Sequence, residues 1–290
     1  MRALVTGVAG FVGRHMAIAL TRRGWYVEGC DLQLGDDAHD LFRDGIQQYD
    51  LVVHAAATAP HRAAIDGQPM NLAKDLALDG AMFEWAVRTN QRRVIYLSSS
   101  AAYPKFLQEQ GTRVLLDESL LRVGNAHEPY DSYGWTKMTG ERMAAAAIEA
   151  GLKVHIVRPF SGYGEDQGVD WPFGAFIARA QRRADPFVVW GDGEQRRDWI
   201  HIDDIVAAIL AMVDQDVPGP VNLCTGRDTS FNELARLVCK EAGYEPELKH
   251  ILDAPQGVAY RVGDPAKLHT FYKPKVELED GIARALRAAR

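Results

Sequence analysis

A chain of 290 residues, 47% hydrophobic and 25% charged, can bury a sizeable core and holds one large domain or a domain with a smaller lobe. Its net charge of −6 argues against a sequence-independent nucleic-acid binder, which would carry a basic face. The three cysteines, Cys30, Cys224 and Cys239, have no C-x-x-C spacing, and no apolar run approaches the ~20 residues needed to span a bilayer, so neither a disulfide framework, nor a metal site, nor a membrane partner is expected, and a cytoplasmic setting fits.

The first predicted element is the strand "RALVT", with no targeting segment ahead of it. "FVGRHMAIALTRRG" follows as a helix closed by Gly24. Further strands are predicted at "WYVEGCD", "DLVVHAAA", "RRVIYLSSS" and "LKVHIVRP", with helices around 66–90 and 132–150. This alternation predicts an α/β fold: a Rossmann-like, doubly wound parallel sheet covered on both faces. "VIYL" and "LVVH" are continuous rather than alternating, as buried parallel strands should be. After Pro159 glycine and proline become denser and the elements shorten. The expected division is a domain over 1–160 and a smaller α/β lobe made mainly from 161–290, with the chain free to cross between them.

"VTGVAGFVGRHM" sets glycines 7, 10 and 13 between a strand and a helix. Gly7 permits a tight turn, Gly10 lets backbone approach a diphosphate, and Gly13 lets helix pack on strand. The helix N-terminus offers free N–H groups to the anion. Asp31, at the end of the second strand, is placed to accept hydrogen bonds from an adenosine ribose and would repel a 2′-phosphate, which favours NAD over NADP; it also reads as a turn-starting Asp. Arg14 could soften that preference. In "DSYGWTKMTG", Tyr133 and Lys137 stand one helical turn apart, a spacing that alone serves helix decoration as readily as proton transfer.

Gly7-x-x-Gly10-x-x-Gly13 and Tyr133-x-x-x-Lys137, with "VVHAAA", "RRVIYLSSSAAYP", "VRPFSGYG", "GDGEQRRDWIHIDDIVAAI", "VNLCTG" and "RVGDPAKL" in order, resemble the extended short-chain dehydrogenase/reductase family, the NAD-dependent epimerases and dehydratases of nucleotide sugars. The resemblance covers nearly the whole chain. It implies that NAD is held by Gly7, Gly10, Phe11, Val12, Gly13, Asp31, Ala55, Ala56, Ala57, Tyr133, Lys137 and Pro159. It implies substrate contacts at Ser99, Ser100, Ser161, Arg197 and Arg261, the two arginines on a diphosphate. Catalysis falls to Ser99, Tyr133 and Lys137, with Ser99 picked by counting four back from Tyr103. A free phenol, with a pKa of about 10, is a poor base at neutral pH; Lys137 and the nicotinamide charge would favour its phenolate, while Ser99 holds the sugar oxygen.

The sequence also departs from the family pattern. Dehydratases follow the catalytic Ser/Thr with Asp–Glu, where Ser100 and Ala101 stand here. The family's 3,5-epimerases place a cysteine at 101. Ala77 and Ser161 stand where Asn is usual, and the stretch from Asp31 to Tyr49 is short for the usual extra strand. The insert 104–130 is expected to arch over the sugar, and Phe187, Val188 and Trp190 line the base pocket or belong to the core. His61 and Arg62 fall near the sugar or on a surface loop. Helices at 72–88 and around "MAAAAIEA" supply a homodimer interface or simply pack on the sheet. The expected activity is 4-epimerisation of a nucleotide-diphosphate sugar through a transient 4-keto sugar. The alternatives are a 4-keto-sugar reductase or dehydrogenase and a non-catalytic dinucleotide sensor.

Overall fold

The computed structural model describes residues 1–57, 70–122 and 127–288. Six strands pair in parallel: β1 (Arg2–Thr6), β2 (Tyr26–Cys30), β3 (Leu51–His54), β4 (Val94–Leu97), β5 (Val154–Pro159) and, from late in the chain, β10 (Val221–Leu223). Their order is β2-β1-β3-β4-β5-β10. Successive strand residues point to opposite faces, so continuous apolar strands need cover on both sides. In β4, Ile95 and Leu97 face a core shared with α1 (Phe11–Arg22) and α6 (Ile202–Asp214). Val94 and Tyr96 face a second core shared with α2 (Ala38–Asp44), α3 (Asn71–Arg88) and α4 (Ser132–Glu149). Each fully buried Leu, Ile or Val side chain there contributes roughly 1.5–3 kcal/mol.

Between Asp31 and Tyr49 the chain forms a short 3-10 turn and α2, with no strand. Phe42 of α2 packs on Trp85 of α3 with ring centres 5.2 Å apart, closing the second core. Gly24, at φ +80°, ends the turn after α1.

A smaller lobe has its own core of Phe173, Phe176, Ile177, Phe187, Val189, Leu234, Val238 and Ile282. It contains β6 (Ser161–Tyr163), α5 (Pro172–Gln181), β7 (Phe187–Trp190), β8 (Arg196–Arg197), β9 (Trp199–His201), β11 (Thr229–Ser230), α7 (Phe231–Glu241), β12 (Leu248–Ile251), β13 (Tyr260–Arg261) and α8 (Leu278–Arg287). Its strands form small sheets, β11-β8-β13, β12-β7 and β6-β9. The chain does not stay in this lobe once it has left the large sheet, because α6 and β10 return to cover and extend that sheet. Among the described residues no helix is long and apolar enough to cross a membrane, and no cluster of metal-ligating side chains occurs.

Candidate active site

β1 delivers the chain to Gly7, whose φ of +70° turns it towards α1. A Cβ at Gly7 would come within 2.6–2.7 Å of the Ala55–Ala56 backbone, and one at Gly13 would overlap the Gly7 carbonyl. Strand, loop and helix therefore approach to a distance that only glycine permits. Gly10 is the N-cap of α1 and no described side chain caps it. The first-turn N–H groups of Phe11, Val12 and Gly13 are left for an anion, with the positive end of the helix dipole behind them. Ala55 N–H donates to the Thr6 carbonyl at 3.2 Å and Ala56 N–H to the Thr6 hydroxyl at 3.4 Å, which sets 55–57 beside this loop. Pro159 lies at the C-terminal end of β5.

Asp31 is largely buried and accepts from Ala9 N–H at 2.9 Å and from Gln33 N–H at 2.8 Å. It thus starts the turn after β2 and ties down the glycine loop at once. A carboxylate has about four acceptor positions, so capacity for ribose hydroxyls remains. Loop, bare helix end and acid together fit an NAD molecule. Arg14 is committed elsewhere, bonding Asp166 through Nε at 2.7 Å.

α4 begins at Asp131, whose side chain accepts from Gly134 N–H at 2.9 Å. A Cβ at Gly134 would overlap the Ala101 carbonyl, so the first turn of α4 lies directly on the segment after β4. Lys137 is 4% exposed, and its Nζ is 5.9 Å from the centre of the Tyr133 ring and 5.2 Å from that of Tyr96. Tyr133 is half-buried. The three adjacent serines differ: Ser98 is buried and donates to Glu141 at 2.5 Å, Ser100 is buried, and Ser99 is half-buried and accepts from Ala101 N–H at 3.1 Å. Burial works against the Lys137 ammonium, but Asp79, Tyr133 and Asp75 outweigh it and hold the lysine above its ordinary range.

Asp75 and Asp79 escaped the sequence reading, which looked to Ala77 instead. Ala77 is exposed, while Asp75 and Asp79, four residues apart on one side of α3, are buried at 4% and 1%. Counting at helical period would have put both acids on the face that carries Met82 and Ala86. His54 and Tyr96, which hold Asp79, lie inside apolar strand runs and were read only as strand.

On the lobe side, β8 and β13 run parallel with Arg197 opposite Arg261. Arg197 donates to the Arg196 carbonyl at 2.8 Å and lies 5.6 Å over the Phe231 ring; among the described residues no carboxylate pairs with it. Burial, and then Arg261, pull its pKa down to about 9. Arg261 donates to Gln108 at 2.5 Å. Two neighbouring cations of this kind favour a multiply charged anion. Asp198 faces away from them and accepts from Thr225 N–H and hydroxyl and from Gly226 N–H, each at 2.8 Å; burial still pushes it up to about 6. Ser161 N–H donates to the Asp198 carbonyl at 2.9 Å, which joins the start of β6 to the residue between β8 and β9. Along β7, Phe187 is core, whereas Val188 is half-buried and Trp190 is 47% exposed. His61 and Arg62 lie outside the described residues.

Residues 3–224 match the sequence pattern of the NAD-dependent epimerase/dehydratase family. The chain belongs to that family. Like its other members, it uses NAD. GDP-mannose 3,5-epimerase 1 from Oryza sativa subsp. indica is 28% identical over 97% of this chain and 80% of its own length. Among solved structures, the UDP-glucuronic acid 4-epimerase of Bacillus cereus superposes with a TM-score of 0.83 at 24% identity, over 99% of this chain and 98% of its own. The UDP-glucose 4-epimerase of Thermus thermophilus does so with a TM-score of 0.82 at 21% identity, over the same shares. These superpositions show the shared fold.

Within this family fold a buried arginine helps to hold the described part of the insert after β4. Arg158 is fully buried and uses all five of its N–H donors: two on Glu141 (2.8 and 2.7 Å), one on the Tyr103 hydroxyl (3.0 Å) and two on the insert carbonyls of Glu118 (3.1 Å) and Leu121 (3.0 Å). The Tyr103 hydroxyl donates onward to Asn222 of β10 at 2.8 Å.

Proposed function

We propose that the protein is an NAD-dependent nucleotide-sugar epimerase that inverts C4 through a transient 4-keto sugar with no net redox change. The observation that carries this is Tyr133 with buried Lys137 beside the Ser99 segment, with only a methyl group at Ala101 in that segment. NAD, when bound at the glycine loop, supplies the hydride acceptor and donor. Tyr133 as phenolate takes the proton of the C4 hydroxyl and later returns it. Lys137 stabilises that phenolate by its charge, and Ser99 holds the reacting oxygen between them. Epimerisation at C3 and C5 needs a further acid–base group next to the sugar, and no thiol supplies one. Cys30 is pushed up to about 11, first by burial, and burial likewise pushes Cys224 up.

Arg197 and Arg261 hold the substrate diphosphate in this reading. Arg197→Ala should raise KM for a nucleotide-diphosphate sugar about 10- to 100-fold, the loss of charge-assisted bonds of about 1.5–3 kcal/mol, with kcat changed far less. The reading includes a homodimer joined through α3 and α4, whose exposed sides carry Val87 and Ile148, and a cytoplasmic location.

The deciding experiment denatures freshly purified protein, identifies any released dinucleotide by mass spectrometry, and assays UDP-, GDP- and dTDP-sugars for C4 inversion. Stoichiometric NAD and interconversion of C4 epimers without net NADH are expected. An empty site with net oxidation or reduction would make it a dehydrogenase or reductase. Failure to bind either dinucleotide would remove the enzymatic reading altogether.

A further inference from the structure

Behind Tyr133 and Lys137 lies a buried polar chain that the mechanism above leaves unused. Thr6 (β1), His54 (β3), Asp79 (α3) and Tyr96 (β4) are each at most 1% exposed. Thr6 Oγ1 is 2.9 Å from His54 Nδ1, His54 Nε2 is 3.1 Å from Asp79 Oδ1, and the Tyr96 hydroxyl donates to Asp79 Oδ2 at 2.5 Å. From α4, Gly140 makes room for this group. A Cβ there would overlap the Tyr96 hydroxyl and come within 2.8 Å of Asp79 Oδ2. The carboxylate therefore lies against α4 less than one turn beyond Lys137.

We propose that Asp79 is a positioning residue for the reacting pair: a buried carboxylate, braced by His54 and Tyr96, that anchors the Lys137 ammonium beneath Tyr133. This rests on the reading of Tyr133 and Lys137 as the reacting pair. A buried carboxylate is costly unless a cation and hydrogen bonds compensate it. Here the Tyr96 hydroxyl and His54 Nε2–H donate to it, and His54 Nδ1 is left to accept from Thr6. The cation is Lys137, which with His54 holds Asp79 below the usual carboxylate range against the opposing effect of burial. The groups facing Lys137 are Asp79 and Asp75 from α3, Tyr96 from β4 and Tyr133 on its own helix; Glu141, one turn further on, is paired with Arg158. Because Thr6 also receives Ala56 N–H, hydrogen bonds run from the segment beside the glycine loop to Asp79 and Tyr96, and the Tyr96 ring lies 5.2 Å from Lys137 Nζ.

Asp79→Asn keeps the shape and removes one negative charge. Each acid of the coupled Tyr133–Lys137 pair then loses its proton more readily, so their joint titration should move down by about one pH unit or more. The measurement is an ultraviolet tyrosinate titration of NAD-loaded protein, with Tyr133→Phe subtracted in each background, alongside the pH profile of kcat/KM. Tyr96→Phe is the control, since it removes a bond to the same carboxylate but no charge. A downward shift in Asp79→Asn with none in Tyr96→Phe is the expected result. No shift, or an equal shift in both, would make Asp79 a structural brace and overturn the proposal. If Asp79→Asn cannot be purified, Lys137→Met decides: a double variant more stable than Lys137→Met supports the charge coupling of Asp79 to Lys137, and a less stable one overturns it. Failure of the reaction reading is seen separately, as full turnover in Tyr133→Phe.

Discussion

Tyr133→Phe should lower kcat/KM for the nucleotide-sugar substrate by about 10²–10⁴-fold, the usual contribution of a positioned general acid–base. At 1.36 kcal/mol per decade that is about 3–5 kcal/mol of transition-state stabilisation. The substitution removes one oxygen and leaves the ring in place over Lys137 Nζ. The Asp131 cap is untouched, so α4 keeps its start and stability should barely change. KM should change little, because the lost interaction matters most while the proton is in transit. Steady-state kinetics of the purified variant, with its NAD content checked, make the test. Turnover within a factor of a few of the parent protein would remove Tyr133 from the mechanism.

The second large effect is on stability. Arg158→Met leaves the Glu141 carboxylate buried with, among the described residues, only the Ser98 hydroxyl as donor, takes the arginine donor from two insert carbonyls, and leaves the Tyr103 hydroxyl with Asn222 alone. Breaking a fully buried pair from one side costs about 3–5 kcal/mol, because the remaining charge is uncompensated. That corresponds to a fall in Tm of roughly 10 °C in a protein of this size. Adding Glu141→Leu removes the stranded charge and should recover part of the loss. Thermal unfolding followed by circular dichroism measures both variants. If the single variant melts with the parent, the arginine does not anchor the insert.

Much of the molecule was legible without coordinates, for reasons that differ by element. Strands β3 and β4 were readable because parallel strands covered on both faces run apolar with little alternation, as "LVVH" and "VIYL" do. The glycine loop was readable because its need for glycine is a backbone property: the positive φ at Gly7 and the contact at Gly13 tolerate nothing larger. The inward acids of α3 went unread because the helix was taken at its motif positions, Ala77 and Gly80, and not by which residues it turns inward. Asp75 and Asp79 are the residues it turns inward.

By itself, then, the sequence determined the βαβ alternation, the glycine loop between β1 and α1, the one-turn spacing of Tyr133 and Lys137 and, through its ordered motifs, the family. These are local properties, set by backbone preference and by side-chain period over a few residues. Only the tertiary structure decided that α6 and β10 return to the large sheet, that Arg197 lies opposite Arg261, and that Glu141 neutralises Arg158. It also decided that Asp79, His54 and Tyr96 meet behind the lysine. Such pairings join residues far apart in sequence, 153 positions in the case of Arg261 and Gln108. Which buried polar group finds which partner depends on the register of strands and the packing of helices, and no local pattern encodes that.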